Sequence, residues 1–182
     1  PLARLRRLQG EPEAAAKLAE RSLAVTEGLL SLSPDHPGWL RQRAESRVEK
    51  ALQLPAAAAD ARALLASALA VLEPQLQGNT QDRATLISTI GAQLAMAALE
   101  APPAAGERLR RALASCDAQT GSPLDPRLRA LRAELLLRLR EHEQGKALAI
   151  EVWKAGYRDI GFAELLRTNA IVVPDAPAPA SL

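Results

Sequence analysis

Two Trp, one Tyr and one Phe are the only aromatic side chains in 182 residues, and there are one Cys and two His. A single cysteine excludes an intramolecular disulfide and any cysteine-based zinc site. Two histidines leave almost nothing for metal ligation or acid–base chemistry. Strand-favouring residues are also scarce, with six Val, five Ile and six Thr, which excludes an all-β fold and argues against a mixed one. Long apolar runs are missing. Ala61–Leu72 is interrupted by Arg62 and Ser67 and is too short to cross a bilayer, so no membrane insertion is expected of this region. Neither sign of charge dominates: 23 basic residues stand against 21 acidic ones, a net of +2. Arginine supplies 19 of the cations, spread along the chain. The densest stretch, 103–140, sets eight Arg against Glu107, Asp117, Asp125 and Glu134. That pattern reads as solvated helix faces, and no nucleic-acid partner is expected, because such binders concentrate their cations in a stripe.

What the chain does have is alanine and leucine, 38 and 32 of them, both among the strongest helix formers. Apolar residues step by three and four along successive segments, for example Leu64, Leu65, Ala68, Leu69, Leu72 and Leu76, then Leu86, Ile87, Ile90, Leu94, Ala97 and Ala98. Each is the stripe of a helix that buries one side. Breaks fall at Gly10-Glu11-Pro12, Ser33–Gly38, Pro55, Gly78-Asn79-Thr80, Pro102-Pro103, Gly121-Ser122-Pro123, Gln144-Gly145 and Gly156. Asp125 before Pro126 predicts an N-cap with proline at the first helical position, and Asn79 with Asp82 a weaker cap. Gly78, Gly121 and Gly156 are expected to stop helices, and Pro55 and Pro102-Pro103 to open them.

Short breaks between helices predict helical hairpins. Paired, they start near Pro12, Pro55, Pro102 and Gln144, at intervals of 43, 47 and 42 residues. A period of this size in helix pairs points to an all-α α-solenoid of about eight helices in four antiparallel pairs. It would occupy 1–169, with 170–182 a Pro/Ala-rich disordered or extended tail. The chain opens at Pro1, without Met, inside the charged helical pattern Leu2–Leu8. It is therefore expected to be a segment of a longer protein.

Small residues at expected helix crossings carry a resemblance: Gly10 with Ala14 and Ala15, Gly91 with Ala92 and Ala95, and Gly145 with Ala147. With Gly145–Glu151 and the turn Ser33-Pro34-Asp35-His36-Pro37, the chain resembles tetratricopeptide-like repeats, whose fold is a right-handed superhelix. These units are longer than the family's 34 residues, and its first-helix Trp and Tyr positions hold Leu or Ala here, so its peptide-binding residues do not carry over. Asp125–Leu137 followed by Ala149–Phe162, with Gly156-Tyr157-Arg158, resembles the last repeat and cap of certain bacterial regulators. These are the helical-repeat sensor regions that follow the kinase domain and membrane helix of eukaryote-like serine/threonine kinases, or that follow winged-helix domains. That likeness implies a periplasmic location if the kinase-sensor parentage holds, and a cytoplasmic one otherwise.

No catalytic constellation emerges. Cys116 lies far in sequence from His36 and His142, and a catalytic thiol needs a base or positive neighbour. His142 between Glu141 and Glu143 spreads three side chains over different helix faces. Glycine-rich phosphate loops and His-Glu-x-x-His are missing, as are kinase signatures. The chain is read as a non-catalytic region that needs no cofactor and no metal. Two groups remain as candidates. Trp153, Tyr157 and Phe162 fall within ten residues and are expected to form a terminal aromatic cap. Arg110, Arg111 and Arg132 are candidates for a clamp on an acidic peptide or a C-terminal carboxylate, because guanidinium forks bind carboxylates bidentately. The expected function is a protein- or peptide-binding sensor module of a bacterial signalling protein. The alternative is a scaffold or homodimer whose contact lies on Leu2, Leu5 and Leu8.

Overall fold

The computed structural model describes residues 2–55, 58–118 and 125–173. Among them all regular structure is helical: α1 Leu2–Leu8, α2 Pro12–Leu32, α3 Pro37–Ala51, α4 Ala59–Gly78, α5 Arg83–Ala97, α6 Pro102–Asp117, α7 Pro126–Arg138, α8 His142–Lys154 and α9 Ile160–Thr168. The break at 121–123 and the tail from 174 lie outside the described residues. The chain divides into two compact units, Pro1–Gln119 with α1 to α6, and Thr120–Leu182 with α7 to α9.

In the first unit each helix packs on the next, and α3 packs on α5 as well. The core joins Ala44, Val48 and Ala51 of α3 to Leu65, Ala68 and Leu72 of α4 and Ala92, Ala95 and Met96 of α5. Five of these nine residues are alanine, whose small side chain lets backbones approach closely. Helix α5 departs from the one-sided stripe expected of it. Eleven of its 15 residues are buried, Thr85, Thr89 and Gln93 among them. A helix covered on nearly all sides has little amphipathic pattern to display. The Thr89 hydroxyl donates to the Thr85 carbonyl at 2.7 Å, so burying it leaves no donor unmet.

The second unit closes on one cluster. Ala133 and Leu137 of α7, Val152 and Trp153 of α8, and Phe162 and Leu166 of α9 meet there, with Ile171 and Val173. The tail expected from residue 170 therefore includes two core residues.

Helix starts follow the expected chemistry closely. The Asp125 carboxylate accepts from the Arg127 amide at 2.8 Å ahead of Pro126. Asp82 is the stronger partner of the Asn79–Asp82 pair: one of its oxygens accepts from the Ala84 and Thr85 amides, at 3.0 and 3.1 Å. Asp159 caps α9 through the Phe162 amide. Pro102 opens α6 as expected, whereas Pro55 stands in the turn before α4, where its carbonyl accepts from Ala58. Pro74 lies inside α4, one turn from its end, where the missing N–H costs a single helical bond.

Helix stops were less legible. Gly156 takes the left-handed conformation, φ 91°, but Gly78 simply ends α4 and Asn79 follows it as the cap. Arg140 and Ala170 adopt the same left-handed turn, with φ of 66° and 51°. In each case the next amide reaches back five residues, Glu141 to Leu136 and Ile171 to Leu166, the bond of a Schellman turn. Those two residues accept a strained φ because the turn's hydrogen bonds hold them there.

The small-residue crossings divide. Gly145 is buried, and a Cβ on it would meet Leu137 Cγ at 2.8 Å and the Leu137 amide nitrogen at 3.1 Å. It is the contact point of α7 with α8. At Gly91 a Cβ would meet nothing within 4 Å; the tight positions there are Ala92 and Ala95. Gly10 is a left-handed turn residue with open space around it. Gly91→Ala is accordingly expected to raise stability by about 0.5–1 kcal/mol through helix propensity. Gly145→Ala is expected to lower it by about 1–2 kcal/mol, because overpacking against α7 exceeds the same propensity gain. Urea unfolding of both variants, followed by circular dichroism, checks the opposite signs.

Candidate functional site

In the first unit the polar chemistry gathers on α3. Its sequence alternates charges, with Arg41, Arg43, Glu45, Arg47, Glu49 and Lys50 around a narrow apolar stripe of Ala44, Val48 and Ala51. Because α3 packs on α2, α4 and α5, those charged side chains are half-buried. Glu49 accepts from Arg7 of α1 at 3.0 Å. Glu45 accepts from the Ser88 hydroxyl of α5. Arg41 lies 3.5 Å from Asp82 and 3.9 Å from Glu45. Lys50 reaches Glu20 of α2 at 3.5 Å. The Ser22 and Ser46 hydroxyls share a hydrogen bond of 2.7 Å between α2 and α3. Desolvation opposes ionisation of Asp82. The Thr85 hydrogen bonds and the Arg41 charge outweigh it and hold the carboxyl below its ordinary range.

Between α1, α2 and α3 this network borders a cleft of about 240 Å³. Leu2, Ala3, Leu18 and Ala19 form its apolar side, and Gln42, Glu45 and Glu49 its polar side. Such a cleft can accept an apolar side chain while its rim hydrogen-bonds to a neighbouring backbone or amide.

A second polar cluster fastens the turn between α5 and α6. Arg108 donates from two nitrogens to the two Glu100 oxygens, at 2.8 and 2.6 Å, with both side chains mostly covered. The Arg108 hydrogen bonds, joined by the charges of Arg62 and Arg111, hold the Glu100 carboxyl below its ordinary value of 4.5. The same hydrogen bonds raise the Arg108 guanidinium.

The residues singled out in the sequence fall in different places. Arg110 and Arg111 are exposed on α6 of the first unit, while Arg132, half-buried, stands on α7 of the second. Trp153 and Phe162 are buried in the core of the second unit, and Tyr157 meets Phe162 edge-on at a ring separation of 5.5 Å. Arg158 lies over the Trp153 ring at 3.9 Å and donates to the Trp153 carbonyl, a cation–π contact that covers one face of the ring. Cys116 is buried on α6. His36 caps α3, its ring accepting from the Trp39 amide and stacking on the Trp39 ring at 4.2 Å. His142 is the exposed first residue of α8. Among the described residues no three His, Cys, Asp or Glu side chains are grouped to hold a metal ion, and no helix is long and apolar enough to cross a membrane.

The α3 network and Glu100 were not recognised from the sequence. Charges on helix faces default to solvated ones when the neighbouring helices are unknown. One signal was present: α3 carries too few apolar residues to fill three helix–helix contacts, so its flanks had to be polar. No family model, curated protein or solved structure matches this chain.

The pH dependence of Glu100 follows from the direction of its shift. A carboxyl depressed in the folded state adds stability above its unfolded value of 4.5, and that contribution is lost as pH falls through the lower folded value. Glu100→Gln is expected to cost about 1–2 kcal/mol at pH 7, the worth of a charge-assisted hydrogen-bonded pair. Its deficit against the parent protein shrinks toward zero below the folded value. Urea midpoints of both proteins at pH 7 and pH 3 give the comparison.

Proposed function

We propose that this chain is a non-catalytic protein- or peptide-binding module, with its helices arranged as a tetratricopeptide-like α-solenoid. The observation that carries this reading is the packing of α3 on α5 in addition to sequential neighbours. In a two-layered array of helical hairpins, alternate helices lie side by side in one layer. The polar side chains gathered on α3, and the cleft beside them with Leu2 and Leu18 on its apolar side, supply the mixed surface that peptide recognition uses. The resemblance of 125–162 to bacterial sensor repeats supports a place in signal transduction, where binding by the repeats would bias an output domain elsewhere in the parent protein. Arg110 and Arg111 remain candidates for contact with an acidic partner on α6, as does Arg132 on α7.

A homodimer is the second reading. It is favoured by Leu2 and Leu5, which are 63% and 38% exposed on α1, Leu2 also lining the cleft.

The reading predicts enrichment from a random peptide library displayed on phage and selected against the full chain. Enriched peptides are expected to lose binding when Gln42 and Glu45 are replaced by Ala and Leu18 by Asp. Light scattering after size exclusion, over a hundredfold concentration range, separates the two readings. A monomer that enriches peptides supports the module. A tight dimer that Leu2→Asp/Leu5→Asp dissociates, with no enrichment, overturns it in favour of the scaffold.

A further inference from the structure

Arginine is the commonest cation in this chain, and most of its partly buried copies have a matched partner. Arg7 has Glu49, Arg41 has Asp82, Arg108 has Glu100 and Arg129 has Glu151. Arg43 and Arg47 do not. Both are half-buried on α3, one helical turn apart, which places their Cβ atoms about 5–6 Å from each other. Neither guanidinium makes a hydrogen bond or ion pair with a described residue, and Arg43 Nε is buried without a partner. Among the described residues Arg21, Arg83, Arg110, Arg127 and Arg140 also have no side-chain partner, but all five are exposed to water. Burial and the charge of Arg43 push the Arg47 guanidinium down, and Glu27 of α2 only partly opposes them.

Two like charges set side by side in partial burial destabilise a fold unless something neutralises them. Helical spacing puts Trp39, four residues before Arg43, on the same face. Its ring is half-buried, held in place by stacking on His36. The face thus carries two guanidinium groups without a hydrogen-bonded partner among the described residues, with an aromatic residue one turn away.

We propose that Arg43 and Arg47, with Trp39 beside them, form an anion-recognition site on α3 that takes two carboxylate side chains of an acidic peptide partner. The proposal rests on the peptide-binding reading and names the chemistry of its ligand. Charge complementarity selects the occupant: two separate forks one turn apart match two separate carboxylates, each able to be held bidentately. The aromatic ring would pack against the methylene stems of the same side chains.

The test uses the full, isotope-labelled chain, titrated at low salt with a blocked hexaglutamate peptide and followed by amide NMR shifts. Hexaglutamine and inorganic phosphate are the two comparison ligands. Hexaglutamate is expected to shift amides of 39–50 in saturable fashion, hexaglutamine to shift none, and phosphate to act only at far higher concentration. Arg43→Met/Arg47→Met keeps the apolar stems, so it is expected to fold with unchanged or higher melting temperature and to bind at least about tenfold more weakly. Arg43→Lys/Arg47→Lys keeps the charge without the forks and is expected to fall between; it supplies the reading if the methionine variant does not fold. The proposal is overturned if hexaglutamate leaves the α3 amides unmoved, if hexaglutamine matches it, if phosphate alone saturates the same amides as readily, or if the variants bind as the parent does. Library peptides that bind independently of Arg43 and Arg47 would sink this site and leave the peptide-binding reading intact. An empty library selection together with silent α3 amides would remove both.

Discussion

Helix α5 has almost no surface left for water, and the first unit is arranged around that constraint. A helix buried on most sides must be apolar or small at nearly every position, and its few polar groups must be answered internally. The chain meets the first condition and most of the second: Ala92, Ala95 and Ala97 keep the neighbours close, Thr85 and Thr89 turn their hydroxyls onto the Asp82 carboxylate and the Thr85 carbonyl, and Gln93 donates to Glu73 while its own oxygen is left without a partner. Asp82 therefore does two jobs. It caps the helix that the core needs, and it lies close to Arg41 of the adjoining α3.

From that arrangement the character of α3 follows. It borders α2, α4 and α5 with a stripe of only three small apolar residues, so its flanks make contact through ion pairs and hydrogen bonds. Most of these are closed, as between Glu49 and Arg7. Arg43 and Arg47 stay open. An open charge in such a position lowers stability, and binding sites are where proteins accept that cost.

The second unit uses a different device. Its core is aromatic where the first is alanine-rich, and it is drawn tight at Gly145, where Leu137 occupies the space a side chain would need. Arg158 covers the Trp153 ring, so a large side chain is enclosed in a unit of only three described helices.

The helical class was legible from alanine and leucine content, because propensity and the 3.6-residue stripe both act within one segment. The N-cap at Asp125 was legible for the same reason, an Asp side chain reaching amides only two or three residues away, whereas the cap of α5 was narrowed only to Asn79 with Asp82. Gly145 was marked as a crossing, and Trp153 and Phe162 as one cluster, from spacing alone. What needed tertiary structure was every decision that depends on a neighbour distant in sequence. The burial of α5 on nearly all sides is one. The separation of Arg110 and Arg111 from Arg132 into different units is another, as is the contrast between crowded Gly145 and open Gly91. Which charges are matched was decided there too, because Glu49 and Arg7 stand 42 residues apart in the chain and only packing brings them within hydrogen-bond range.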